Sequence, residues 1–323
     1  MIDSKIAFLF PGQASQSPGM GLDLYKNSRA ARDVFDEADE ILGKKLSSII
    51  FNGDKEELTR TENAQPAIAT VSLAAWKSIE SELGSMQLPN YTAGHSLGEY
   101  SSLATAGSLG LKETINLVSK RGELMEKACK ESPGGMAAIV GIDKATVKEV
   151  CLEAGTYLSN VNTTNQIIIA GEKNNLINAM DLASRFGAKK AIPLQVSGAF
   201  HSALMSSAQK SLDEVIDDTQ FQDPDVPIIG NTNALPITDK ITLKSELKTQ
   251  LQNCVMWSDS IEYMIKEGVE TFYELGPGNV LSSMLKRINS NIHVKSIGNY
   301  DGVLDYLESV SYTHLTLPTN REV

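Results

Sequence analysis

The 323-residue chain is 41% hydrophobic and 21% charged, with a formal charge of −11. That much apolar material supports a real core and excludes disorder as the main state, and at roughly 100–200 residues per domain it predicts one large domain or a large one with a smaller insert. The acidic balance excludes a duplex nucleic-acid binder, whose footprint would be basic, and argues against docking on anionic lipid.

Three scattered cysteines, Cys129, Cys151 and Cys254, fit neither a disulfide framework nor a CxxC metal site, which points to a reducing cytoplasm. The start of the chain has no signal-peptide pattern, and no apolar run approaches the roughly 20 residues that span a bilayer.

Apolar runs alternate with amphipathic stretches, the pattern of an α/β protein with a mostly parallel sheet. Lys5–Phe10 reads as a buried strand stopped by Pro11-Gly12, followed by helices over Ala30–Leu42 and Ala64–Leu83. A short strand, Tyr91–Gly94, runs abruptly into a helix from Leu97. Over Lys112–Cys129, Ile115, Val118, Gly122, Met125 and Cys129 recur at helical spacing, so one face is buried and Arg121 falls on its flank.

The rhythm then changes. Strands at Gly135–Ile142, Tyr157–Asn162, Gln166–Gly171 and Lys189–Val196, with helices at Lys144–Ala154 and Asn174–Phe186, give the βαββαβ order of a ferredoxin-like motif. It reads as an inserted subdomain, 133–197, dividing a main domain into 1–132 and 198–310. The main domain resumes with a strand at Val226–Asn231, helices around Leu243–Cys254 and Ser258–Glu267, a strand at Thr271–Leu275 and a helix from Val280. Asp301–Val310 reads as a last helix, and 311–323 as a disordered or non-native tail.

Gly94-His95-Ser96-Leu97-Gly98 carries the strongest chemical signal. In a G-x-S-x-G elbow the serine sits on a tight strand-to-helix turn, its hydroxyl projecting outward and the following N–H groups facing whatever bonds to it. A serine nucleophile needs a base, and the histidines are His95, His201, His293 and His314. His95 lies inside the elbow and His314 in the tail. His201, in the loop where the insert returns to the main body, is the favourite, with His293 second. Gln13, in the turn after the first strand, is placed to donate its N–H to a reacting carbonyl oxygen. Arg121 either grips a carboxylate at a pocket edge or lays its stem on apolar surface with its head in water; periodicity slightly favours the latter.

Together the motifs make the chain resemble the malonyl-CoA:acyl carrier protein transacylase family over about residues 5 to 308. The resemblance rests on Phe10–Gln16 (FPGQASQ), Thr61–Ile68 (TENAQPAI), Ala93–Leu103 (AGHSLGEYSSL), Arg121, Asn162–Gly171, Gly198–Met205 (GAFHSALM) and Glu274–Leu281 (ELGPGNVL). It implies an α/β-hydrolase-like main domain with a ferredoxin-like insert. It implies that Ser96 takes the malonyl group as an ester, that His201 is base and acid, that the N–H groups of Gln13 and Leu97 form the oxyanion hole and that Arg121 binds the malonyl carboxylate. It further implies that Phe200 favours malonyl over methylmalonyl, and that the residue at Met256, commonly Gln in the family, orients His201; Met serves as well if the backbone carbonyl does this, the favoured reading, and leaves the histidine without an orienter if a side-chain amide is needed. Ala14 departs from the family's usual glycine and is tolerated unless that position needs positive φ.

The expected reaction is ping-pong transfer of malonyl from coenzyme A to the phosphopantetheine thiol of acyl carrier protein, for fatty-acid synthesis, by a monomer without metal or redox cofactor. Rival readings are a free-standing malonyltransferase of a polyketide synthase, a serine esterase or thioesterase with His293 as base, and a non-catalytic carrier-binding module. Since carriers are acidic, docking needs a local basic patch, for which Lys189-Lys190 and Lys286-Arg287 are candidates.

Overall fold

A computed structural model describes residues 5–83 and 88–315, with side chains as far as residue 310. Strand β1 (Lys5–Phe10) is followed by helices α1 (Leu22–Asn27), α2 (Arg29–Leu42), α3 (Leu46–Asn52), α4 (Lys55–Thr59) and α5 (Thr61–Leu83), then β2 (Tyr91–Gly94), α6 (Gly98–Thr105) and α7 (Leu111–Glu131). The middle of the chain forms β3 (Gly135–Val140), α8 (Lys144–Ala154), β4 (Tyr157–Thr163), β5 (Gln166–Gly171), α9 (Lys173–Arg185) and β6 (Lys190–Pro193). After it come α10 (Ser206–Asp218), β7 (Ile228–Ile229), β8 (Pro236–Ile237), α11 (Lys240–Gln250), α12 (Trp257–Lys266), β9 (Val269–Leu275), α13 (Val280–Ile288), β10 (His293–Ile297) and α14 (Tyr300–Leu315).

The larger sheet has the order β10-β9-β1-β2-β7-β8 and is parallel except for the β7–β8 pair. Strand β1 is central, and its run of apolar residues is what a parallel strand covered on both faces needs. Phe8 and Phe10 join the core beneath α2, α5 and α7, while Ala7 and Leu9 point into the layer that holds Trp257, Ile261 and Leu285. Helix α5 is buried over most of its length, so it runs through the interior of its layer rather than over the surface.

The second sheet is antiparallel in the order β4-β5-β3-β6 and is built entirely from the continuous segment between Gly135 and Pro193. Alternation along β3 and β5 gives it two apolar faces. Ala137, Ile139, Ile167 and Ile169 pack beneath α8 and α9, and Met136, Ala138, Ile168 and Ala170 join the main core. A β-bridge between Asn160 and Val255 ties this sheet to the main body a second time.

Several elements differ from their sequence reading. Only Ile228 and Ile229 of the expected strand over Val226–Asn231 pair, because Pro227 has no N–H to give and the backbone of Asn231 bonds instead to the Glu99 side chain and the Met256 N–H. Helix α11 starts at Lys240, where Asp239 accepts hydrogen bonds from Ile241 and Thr242, and it ends at Gln250 rather than Cys254. The last helix continues through Leu315, so the first five residues of the expected tail have helical backbone; 316–323 lie outside the described residues. Among the described residues no helix is long and apolar enough to cross a membrane.

Ala14 does sit at positive φ, at 77°. An L-residue there is strained by about 1–2 kcal/mol relative to glycine, partly offset by glycine's greater freedom when unfolded. Ala14→Gly should therefore stabilise the protein by about 0.5–1 kcal/mol, read as a higher denaturant midpoint at unchanged slope.

Candidate active site

The turn between β2 and α6 works only because of its glycines. A Cβ on Gly94 would lie 1.9 Å from the carbonyl carbon of Gly98, and one on Gly98 would lie 2.0 Å from the Phe10 oxygen. Neighbouring backbones thus touch on both sides of Ser96, which is itself held at φ 52°. Asn231, just past β7, clamps the turn: its Oδ1 accepts from the Ser96 N–H at 2.7 Å, and its Nδ2 donates to the Gly94 carbonyl at 2.7 Å. Strain at Ser96 is maintained by contacts on every side, which is how such backbone conformations persist.

The half-buried Ser96 presents its Oγ 2.8 Å from Nε2 of His201. His201, 3% exposed and at φ 55°, places its Nδ1 2.9 Å from the backbone carbonyl of Gln250. A carbonyl can only accept, so Nδ1 carries the proton and Nε2 is free to accept from the serine hydroxyl. Burial, and after it the charge of Arg121, push the imidazole down to about 3, leaving it neutral and basic-ready at neutral pH.

This corrects the expectation for Met256. Its carbonyl accepts from Ser260 at the start of α12, its N–H donates to the Asn231 carbonyl, and its side chain packs against the core under α8 and α9. A carbonyl at a helix start is consumed by the first helical bond, whereas the last carbonyls of a helix have no partner within it. Gln250 is the last residue of α11 and so has a carbonyl to offer His201. The orienting group is a backbone carbonyl, but six residues earlier than expected.

Of the two readings of Arg121, the surface one is corrected. It is fully buried, not snorkelling from a helix flank. Its Nη2 donates to Ser96 Oγ at 3.1 Å and to Gln250 Oε1 at 3.0 Å, and its Nη1 donates to Gln65 Oε1 at 2.7 Å. The guanidinium also lies 5.5 Å from the Tyr100 ring centroid. Among the described residues no carboxylate lies within ion-pair distance of it, and its Nε has no partner.

The remaining candidates divide. The side chain of Gln13 donates to Thr61 Oγ1 at 3.3 Å, which in turn lies 3.2 Å from Ser197 Oγ. Among the described residues neither the Gln13 nor the Leu97 backbone N–H has a protein acceptor. Phe200 is buried in the main core, and its carbonyl accepts from Ser159. His95 turns away from the serine, placing its Nε2 3.0 Å from Asn162 Oδ1 and its ring edge-on to Trp257. His293 is exposed on β10, an edge strand, and the side chain of His314 lies outside the described residues. Among the described residues no cluster of His, Cys, Asp or Glu could hold a metal ion.

Sequence reasoning gave no role to Gln250, Asn231, Gln65 or Glu99. Gln65 lies within the TENAQPAI motif and Glu99 within AGHSLGEYSSL, so their positions were in view, but their partners come from distant segments.

Comparison with known proteins gives matches over most of the chain. The family model described as "Acyl transferase domain" matches residues 7–301. A malonyl CoA-acyl carrier protein transacylase of Bacillus subtilis (strain 168) is 48% identical, the match covering 92% of this chain and 94% of the relative. Among solved structures, an acyl-carrier-protein-S-malonyltransferase from Bartonella henselae superposes with a TM-score of 0.92 at 38% identity, over 95% of this chain and 99% of the other. A malonyl-transacylase in complex with its type II PKS acyl-carrier protein gives 0.91 at 35% identity, over 95% and 100%.

A histidine whose folded pKa is depressed binds its proton more readily when unfolded, so its contribution to stability is lost as pH falls below the unfolded value of about 6.5. Between pH 6.5 and 5 the wild type should lose about 1.5 kcal/mol more stability than His201→Gln, measured by denaturant titration at each pH.

Proposed function

The chain belongs to the acyl transferase domain family, among the malonyl CoA-acyl carrier protein transacylases, and from that premise we propose that it moves a malonyl group from coenzyme A to acyl carrier protein for fatty-acid synthesis. The observation that carries the reading is Arg121, a buried cation 3.1 Å from the nucleophile oxygen and bonded only to neutral acceptors. A buried charge without a partner is costly, by several kcal/mol, and a substrate carboxylate removes that cost while an acetyl group does not.

In the first half-reaction His201 takes the Ser96 proton through Nε2 as Oγ attacks the thioester carbonyl. The N–H groups of Gln13 and Leu97 are our candidates for the oxyanion hole, supported by their lack of protein acceptors; one such donor is worth about 3 kcal/mol in the transition state. The imidazolium that forms is stabilised by the Gln250 carbonyl at the negative end of α11. It then protonates the departing coenzyme A thiolate, leaving malonyl-Ser96. The carrier's phosphopantetheine thiol, deprotonated by His201, attacks that ester in the second half-reaction, and Ser96 recovers its proton. No metal or redox group enters this scheme, and coenzyme A serves as substrate rather than resident cofactor.

Phe200, next to His201, is the candidate for narrowing the space at the malonyl α-carbon; one methyl is worth only about 1–3 kcal/mol, so preference rather than exclusion follows. The 4-1-3-2 strand order of the second sheet, with both helices on one face, supports a ferredoxin-like insert at 133–197 in an α/β-hydrolase-like body. Lys189-Lys190 at the head of β6 and Lys286-Arg287 at the end of α13 are exposed, as a landing site for an acidic carrier requires. The free cysteines fit a reducing cytoplasm. The hydrolase reading loses its late histidine, since His293 is on an exposed edge strand.

Intact-mass measurement after brief exposure to malonyl-CoA should show one malonyl group on the wild type and none on Ser96→Ala. Arg121→Met should lower malonyl transfer to Ser96 by at least 100-fold, about 3 kcal/mol, and leave acetyl transfer within a few-fold of wild type. Steady release of free malonate with no adduct would instead mark a hydrolase.

A further inference from the structure

Glu99 lies in the first turn of α6, three residues after the nucleophile, and is fully buried. Its Oε1 accepts from the backbone N–H of Asn231 at 3.0 Å, and its Oε2 accepts from Nε2 of Gln250. Burial pushes this carboxyl well above the usual carboxylate range, the charge of Glu246 adding to the rise; the donors from Gln250 and Asn231 and the charge of Arg121 pull it back. Such a group is unfavourable in an interior unless donors compensate it, and here the donors come from Asn231 and Gln250.

What it touches is the side chain on which two halves of the site converge. The Gln250 amide spends both its hydrogens, one on the Ser96 carbonyl at 2.9 Å and one on Glu99, while its Oε1 accepts from Arg121. An amide is nearly symmetric in shape, so only its neighbours decide which end is oxygen. Turned round, it would face the Arg121 guanidinium with N–H groups and face Glu99 and the Ser96 carbonyl with an oxygen.

We infer that Glu99 is a positioning residue that fixes the orientation of the Gln250 amide and so presents an acceptor to Arg121, holding the guanidinium where the malonyl carboxylate meets it. The inference rests on the malonyl-transfer reading. Asn231 makes it directional. Its backbone N–H cannot turn round, so a glutamine at position 99 must put its oxygen there and its NH2 against the Gln250 NH2. Two donors then face each other, and the amide that can relieve the conflict is Gln250, by flipping its NH2 onto Arg121.

The test is Glu99→Gln, assayed for Ser96 acylation by malonyl-CoA and by acetyl-CoA beside the wild type. The malonyl kcat/KM should fall roughly 10- to 100-fold, chiefly through KM, while the acetyl value changes less than threefold. Gln250→Met, which removes the amide but keeps the backbone carbonyl that orients His201, should reproduce that fall in malonyl-to-acetyl selection. The double variant Glu99→Gln with Gln250→Met should then show the same selection as Gln250→Met alone. Equal losses on both donors in Glu99→Gln, or retained malonyl selection in Gln250→Met, would overturn the inference. Should Glu99→Gln not fold, the double variant decides, because no donor opposes a donor in it: a ratio below that of Gln250→Met means Glu99 acts by another route. A wild type that takes no malonyl group defeats the functional reading itself, which separates the two failures.

Discussion

Arg121 carries a full positive charge into a region closed to water, and the three groups that accept from it are two amide oxygens and a hydroxyl. Much of the surrounding chemistry follows from that imbalance. The same charge helps to hold His201 neutral, so its Nε2 is able to accept a proton at physiological pH. It keeps a donor on the Ser96 hydroxyl oxygen, for which a substrate carboxylate competes on the function proposed above. On the function proposed above, a neutral site of the same shape would bind an acetyl or a malonyl group with similar ease, and the unpaired guanidinium is what makes the two differ by several kcal/mol.

A second constraint is steric. The β2–α6 turn brings the Gly98 backbone against the Phe10 carbonyl and the Gly94 backbone against Gly98, leaving no room for side chains. That close approach sets Ser96 beside the loop that follows β1, so the N–H groups of Gln13 and Leu97 are brought to the same sheet edge. Asn231 then locks the turn with one side chain used in two directions. Among the described residues four positions outside glycine adopt positive φ, Ala14, Ser96, His201 and Ala234, and three of them belong to the segments that build the site. Strain is concentrated where geometry matters for the reaction.

The middle segment contributes differently. Its sheet offers one apolar face to its own helices and the other to the main core, so it is anchored rather than tethered. The chain leaves it through Ser197 and reaches His201 four residues later. The position of His201 is therefore coupled to how the second sheet sits on the first, and the hydrogen-bonded chain from Gln13 through Thr61 to Ser197 spans that junction.

The alternation of apolar runs set the fold class, and the βαββαβ order marked the second sheet, because periodicity reports which faces are covered. Gly94-His95-Ser96-Leu97-Gly98 announced the turn, because its glycines answer a local steric need that any chain making this turn must meet. Ser96 and His201 were legible as a pair because serine chemistry needs a base and few histidines were on offer. The burial of Arg121 was not, since spacing on α7 reports a helix flank but says nothing of α5, α6 and α11 closing over it. Nor was Gln250: the group that orients His201 is a backbone carbonyl, which every residue possesses, and only the point where α11 stops leaves that one able to reach the imidazole. Sequence determined which chemical groups were available and which local turns they required. Tertiary structure decided which carbonyl faced the imidazole and which amides surrounded the guanidinium, because those contacts join segments more than 40 residues apart and depend on where helices end rather than on what they are made of.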